Sequence, residues 1–225
     1  MSYSYYEVYT NAKRAFAGLG FPYGADEDAA FIISWLEAFE LKGIQLFSNI
    51  QKKIDGNFNG ALENNKLISK IDLNKRSILM IGPGLIDLLN FHTSKKNEIK
   101  IEILNCSDPL FLIPLLYRSI KKNIFSKITN QNKTYAVLDK NKIFIHDNLK
   151  NNNCANFILN LSTNEYQIPN GEKTSDYKIL NINLSKGLSP KQSSWDNISD
   201  LAFRTYVPES EESREKGAGG GDAND

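Results

Sequence analysis

The chain has 225 residues, 41% of them hydrophobic, with 27 lysines and arginines against 26 aspartates and glutamates. That balance excludes a strongly basic binder of nucleic acid or anionic membrane, and the hydrophobic content is that of a globular protein rather than a disordered one. A chain of this length buries about 70% of the surface it exposes when unfolded, so one domain with a small helical annex folds without disulfides or metal.

Helical spacing of Tyr5, Val8, Tyr9, Ala12, Phe16 and Leu19 predicts a first helix over 5–19. Gly18 and Gly20 end it, and Phe21-Pro22-Tyr23-Gly24 makes a turn. A second helix begins at Asp26-Glu27-Asp28, three carboxylates beside the positive end of the helix dipole. It buries Phe31, Ile32, Trp35, Leu36, Phe39 and Leu41, with Gly43 as its C-terminal breaker. A shorter helix over 44–53 leads into the loop Asp55-Gly56-Asn57-Phe58-Asn59-Gly60. Ser77-Ile78-Leu79-Met80-Ile81 reads as a buried strand, Gly82-Pro83-Gly84 as a turn, and Leu85 to Leu89 as an apolar helix. Ile99, Ile101 and Ile103 alternate with Lys100 and Glu102 at the period of a half-buried strand. A helix over 109–122 follows, apolar on nearly every side at its start.

Strand, helix, strand, helix is the pattern of an α/β domain. Tyr135–Leu138 and Ile143–Ile145 form a hairpin around Asp139–Lys142, and 156–161 and 179–184 read as further strands. A last helix over 195–203 is expected to take Ser193 or Ser194 as its cap. The fold class is α/β: a mixed sheet with flanking helices, an N-terminal helical layer and a C-terminal glycine-rich arm. Its divisions are a helical region 1–60, an α/β domain 61–205 and a glycine-rich acidic tail 206–225.

Chemistry concentrates at Asn105-Cys106-Ser107-Asp108-Pro109, where a predicted strand meets a helix. Open α/β sheets bind ligands at such places, and a helix N-terminus favours an anion. Capping competes with that use, because Asp108 suits an N-cap and Pro109 a first helical position. Cys106 and Asp108 are the candidate catalytic residues, and Asn105 and Ser107 candidate ligand-binding ones. A Cys106 nucleophile needs a base, and only His92 or His146 offers the usual kind. Gly82 and Gly84 are candidates for a phosphate-binding turn, against the simpler reading of a tight turn. They lack both the third glycine of a dinucleotide fingerprint and the Lys-Ser/Thr pair of a P-loop. Arg204 and Arg214 are candidates for closing over an anion, or for an arm reaching a second subunit, with a disordered tail as the alternative.

Two cysteines and two histidines at no finger-like spacing give no expected metal site. The lysine pairs 52–53, 95–96 and 121–122 read as solvated helix ends. Tyr3, Tyr5, Tyr6 and Tyr9 read as packing surface before a stacking platform. Residues 1–14 lack the charged start and apolar core of a signal peptide, and the apolar run Leu110–Leu116 is too short to cross a bilayer. The expected location is cytoplasmic, with no membrane and no nucleic acid as partners.

Two stretches resemble the malate/L-lactate/sulfolactate dehydrogenase family. One is Ala12-Lys13-Arg14-Ala15-Phe16 through Gly20-Phe21-Pro22 to Glu40-Leu41-Lys42-Gly43-Ile44, and the other runs from Ile101 to Asp108. The resemblance implies a related fold, a dimer, and a pocket for a small acid or for NAD or NADP. The catalytic histidine of that family falls at Asp108, and its D-S-H-G segment at Gln45-Leu46-Phe47-Ser48. Both histidines are therefore replaced, and the resemblance carries the scaffold without the reaction. A second resemblance spans both termini, on Gly20-Phe21-Pro22-Tyr23-Gly24-Ala25-Asp26 and on Tyr206-Val207-Pro208 through Ser213-Arg214 to Gly217-Ala218-Gly219. There the chain is similar to an uncharacterised bacterial family, the domain of unknown function DUF3726, which implies no activity.

The expected protein binds a small organic acid or nucleotide near Asn105–Asp108, on a shortened malate/lactate-dehydrogenase-like scaffold, as a homodimer. The alternative is a non-catalytic accessory subunit that docks on a partner enzyme.

Overall fold

The computed structural model describes residues 1–62, 69–151 and 155–206. Helix α1 (Tyr5–Gly18) starts at Ser4, whose hydroxyl accepts from the Glu7 N–H while the Glu7 carboxylate accepts from the Ser4 N–H. This reciprocal capping box satisfies two donors at the helix start. Helix α2 (Ala25–Ala38) carries Asp26, Glu27 and Asp28 in its first turn, as their charge suggests. Helix α3 (Gly43–Ile54) follows after Glu40 and Lys42, both with left-handed backbone. Strand β1 (Lys70–Asp72) then leads to α4 (Ile78–Lys96) and β2 (Glu98–Leu104). A short 3-10 turn over Pro109–Phe111 opens α5 (Leu112–Ile120).

Strands β3 (Phe125–Asn130), β4 (Lys133–Leu138) and β5 (Lys142–Ile145) come next, then the one-turn α6 (Asp147–Lys150) and β6 (Phe157–Ser162). Strand β7 (Thr174–Asp176), α7 (Lys178–Lys186) and α8 (Gln192–Phe203) complete the described elements. The strands form one mixed sheet in the order β1-β2-β6-β3-β4-β5-β7. Among the described strands, only β1 and β2 run parallel, with Lys70, Ile71 and Asp72 opposite Glu102, Ile103 and Leu104. The other pairs are antiparallel. This is the α/β mixed sheet that the alternating elements imply.

Burial explains the layers. In β2, Ile99, Ile101 and Ile103 are buried and Lys100 and Glu102 exposed, so one face of this strand meets the core, where α4 packs on β2 and β6. Helix α5 covers β3 and β4. Helices α1, α2, α3 and α8 pack together into the helical layer, and α2 joins it to α4 and α5. Tyr3 pairs through its backbone with Leu188 and stacks on Trp195 at 3.9 Å, so this tyrosine does serve packing.

Several elements differ from expectation. Ser77–Ile81 is no strand: Ser77 is the N-cap of α4, and Ile78 to Ile81 are its first turn and beyond. All these residues are buried, and a continuous apolar run carries no period to separate strand from buried helix. Gly82, Pro83 and Gly84 accordingly lie inside α4 and form no turn. A Cβ on Gly82 would come within 2.6 Å of Ile78 Cγ2 and 2.9 Å of Leu115 Cδ1, so this glycine serves the approach of α5. Gly43 begins α3 instead of ending α2; a Cβ there would overlap the Ile33 carbonyl. Residues 179–184 belong to helix α7, where only Leu180 is buried and the alternation of Ile182 and Leu184 faces no core. The cap of α8 is the Lys191 backbone, with neither Ser193 nor Ser194 in that place. Among the described residues, no helix is long and apolar enough to cross a membrane. Of the expected glycine-rich tail 206–225, everything after Tyr206 lies outside the described residues.

Candidate active site at the parallel strand ends

Strands β1 and β2 end side by side, and the segment from β1 to α4 makes a tight passage beside them. The Leu73 N–H donates to the Leu104 carbonyl and the Lys75 N–H to the Asn105 carbonyl, which prolongs the parallel pairing past the strand ends. Asn74 and Lys75 both adopt left-handed backbone, at φ 50° and 59°. Consecutive left-handed residues other than glycine carry a conformational cost and persist where the surroundings over-determine them. Arg76 is held by two carbonyls, its Nε donating to Leu73 at 3.2 Å and a terminal nitrogen to Ala61 at 3.0 Å.

Asp108 sits beneath this passage, 3% exposed. One carboxylate oxygen accepts the Ile78 N–H at 2.8 Å and the other the Ser77 hydroxyl at 2.5 Å. Ser77 Oγ in turn accepts the Leu79 N–H at 3.2 Å. Asp108 therefore does cap a helix, but the helix is α4, some thirty residues earlier in the chain. The 3-10 turn that Asp108 precedes receives no side-chain cap from it. Burial pushes the Asp108 carboxyl above the usual range, against the opposing pull of the Ile78 N–H, the Ser77 and Ser107 hydroxyls and the Lys53 charge.

A cleft of about 540 Å³ opens over this floor, between the end of α3 with its following loop and the start of α4. Lys53, Lys75 and Arg76 supply positive charge to its lining, and Asn57, Asn59 and Asn74 supply amides. Ile50, Ile54, Phe58 and Met80 give an apolar part, and Ser77, Ser107 and Asp108 a polar one. Among the described residues, none of the three cations has an ion-pair partner. Such a volume, apolar with a few convergent polar groups, suits a small molecule, and the charge suits an anion.

The residues singled out in the sequence divide around this cleft. Ser107 and Asp108 line it. Asn105 does not; its amide donates to both oxygens of Asp72 at 3.0 and 2.9 Å, tying β2 to β1. Asp72 is held below its usual range by the Asn74 N–H first and by Asn105 second. Cys106 is buried in the core outside the cleft lining, and neither histidine lines the cleft. His146 Nδ1 accepts the Asn148 N–H at the start of α6, and His92 packs edge-on against Phe91. Gly82 and Gly84 lie within α4, away from the lining. Arg204 pairs with Asp55 at 2.9 and 2.8 Å, next to Gly56 and Asn57 at the rim. Arg214 lies outside the described residues.

Sequence reasoning missed the cations and Ser77. Lys53 is an exposed cation in the last turn of α3, as a helix-end lysine should be, and it lines the cleft as well; no motif marks Lys75 or Arg76. One signal was present: Ser77 directly before an apolar run is an N-terminal helix signature, and it locates α4 and hence the floor of the cleft.

Residues 3–77 match the family model described as a protein of unknown function (DUF3726). The matched span runs from the first helices through β1 to Ser77, so it includes Lys53, Lys75 and Arg76. A search of curated proteins finds no match to the chain. Over residues 3–77, about a third of its length, the chain is similar to this family of unknown function, which its Gly20–Asp26 segment also resembles.

Proposed function

We propose that the cleft between α3 and the start of α4 binds a small organic anion, an organic acid or a nucleotide held by its phosphate. The observation that carries this reading is the convergence of Lys53, Lys75 and Arg76, without ion-pair partners among the described residues, on one volume above Asp108. Ile50, Ile54, Phe58 and Met80 suit the carbon skeleton of such a ligand. The scaffold reading, a shortened malate/lactate-dehydrogenase-like protein with NAD or NADP as cofactor, belongs to the same proposal by resemblance alone. No hydride transfer is assigned, because Asp108 stands where that family carries its histidine. A cytoplasmic homodimer is part of the proposal.

Thermal unfolding against succinate, L-malate, NAD and NADP tests it. A ligand present at 100 times its Kd stabilises by about 2.7 kcal/mol, which a melting curve resolves. The expected result is a rise in Tm with at least one of these anions in the native chain, lost in Lys53→Glu/Lys75→Glu. Native protein whose Tm ignores all four sinks the reading. A second reading, a non-catalytic accessory subunit, draws on Phe203 and Tyr206, 65% and 51% exposed at the end of α8.

A further inference from the structure

Among the described residues that line the cleft, Asp108 is the only acid, and the lining holds no histidine. Its carboxylate cannot swing aside when a ligand arrives. The Ile78 N–H holds one oxygen and the Ser77 hydroxyl the other, and both donors belong to the start of α4. An anionic ligand seated on this floor places a second oxyanion against a nearly buried first one. Two oxyanions at close range in a low-dielectric site do not both stay ionised; one of them keeps a proton.

We infer that the cleft takes its anion together with one proton, which the Asp108 carboxyl holds and shares with an oxygen of the ligand. The inference rests on the anion-binding reading above and adds its regulation: the ligand is held more tightly as the medium becomes more acidic. The charge that acts on Asp108 is Lys53 from α3, and Lys75 and Arg76 from the segment before α4 line the same cleft. Asp55 is engaged by Arg204 and Asp72 by Asn105, and neither lines the cleft. A proton taken up near neutrality therefore has Asp108 as its acceptor, and burial has already moved that carboxyl upward.

Sulfate is the probe, since it stays doubly charged across the whole range and any proton gained goes to the protein. Calorimetric titration of the full chain with sodium sulfate, in two buffers of different ionisation heat, reads both affinity and proton uptake. Across the pH range in which Asp108 is ionised in the free chain and protonated in the complex, uptake should approach one proton per sulfate bound, and affinity should fall with rising pH by up to about tenfold per unit. In Asp108→Asn, neutral at every pH, sulfate affinity should be flat with pH and uptake absent. Lys53→Met should bind more weakly and keep the slope. Sulfate binding by the native chain without proton uptake overturns this inference and leaves the anion cleft standing. No sulfate binding at any pH, by the native chain and by Asp108→Asn alike, overturns both. The native titration needs no variant, so a misfolded Asp108→Asn does not blunt the test.

Discussion

Asp108 joins two parts of the molecule that its sequence position keeps apart. Its carboxylate closes the start of α4 through Ile78 and Ser77. Asp108→Ala should cost about 1–3 kcal/mol, because it leaves a buried amide and a buried hydroxyl without their acceptor. Urea unfolding reads that as a lower midpoint at unchanged slope. The pH dependence has a definite sign. Asp108 has a higher pKa folded than unfolded, so the folded state binds more protons in the window above about pH 4 and stability falls as pH rises through it. Asp108→Asn removes this loss, and its stability relative to the native protein should rise with pH across the same window. A parallel pair of pH profiles would contradict it. A local rule foresaw the capping tendency of Asp108 but named the wrong helix, because the partner lies about thirty residues back and only the tertiary fold brings it near.

Element identity was legible where one face alone is buried. Strand β2 and helix α1 show their periods because polar residues mark the exposed side. Helix α4 hid its nature for the opposite reason. Ile78 to Ile81 are buried all round, so no polar residue reports the turn, and Pro83 with its flanking glycines imitates a loop. Helix α7 misled in the other direction, its Leu180-Asn181-Ile182-Asn183-Leu184 alternation copying a strand while Ile182 and Leu184 stand in solvent. The short β1 and β7 carry too few residues for any period. Contact between helices also leaves a testable mark at Gly43. Alanine there drives a methyl into the Ile33 carbonyl of α2. Gly43→Ala should destabilise by about 1–3 kcal/mol despite the better helix propensity of alanine, and thermal unfolding checks it. An unchanged or higher Tm would mean that α2 and α3 slide apart freely.

At the scale of the molecule, the sheet sets where ligand chemistry can gather. The crevice lies beyond the carboxyl ends of the parallel pair β1 and β2, which is where open α/β sheets present their loops. The predicted strand–turn–helix around Asn105–Asp108 pointed to this end of the sheet. It could not supply the opposite wall, which α3 and the 56–59 loop bring from the helical layer. The candidate site is therefore built from the helical layer and the sheet together, and Lys53 reaches it only through that packing.

The order of strands also bears on how the chain is made. Strand β6 lies between β2 and β3, although β3, β4 and β5 all precede it in the chain. Until residue 162 has emerged from the ribosome, β2 and β3 each show a bare backbone edge toward the gap that β6 will fill. The β2 edge carries Ile99, Ile101 and Ile103, and β3 carries Phe125 and Ile128, apolar residues that favour pairing with neighbouring chains. Chains released after residue 150 should scatter light and bind a holdase chaperone, whereas chains released after residue 206 should not. Assembly of this sheet is gated by one late strand, and a translating cell has to shelter the gap until that strand arrives.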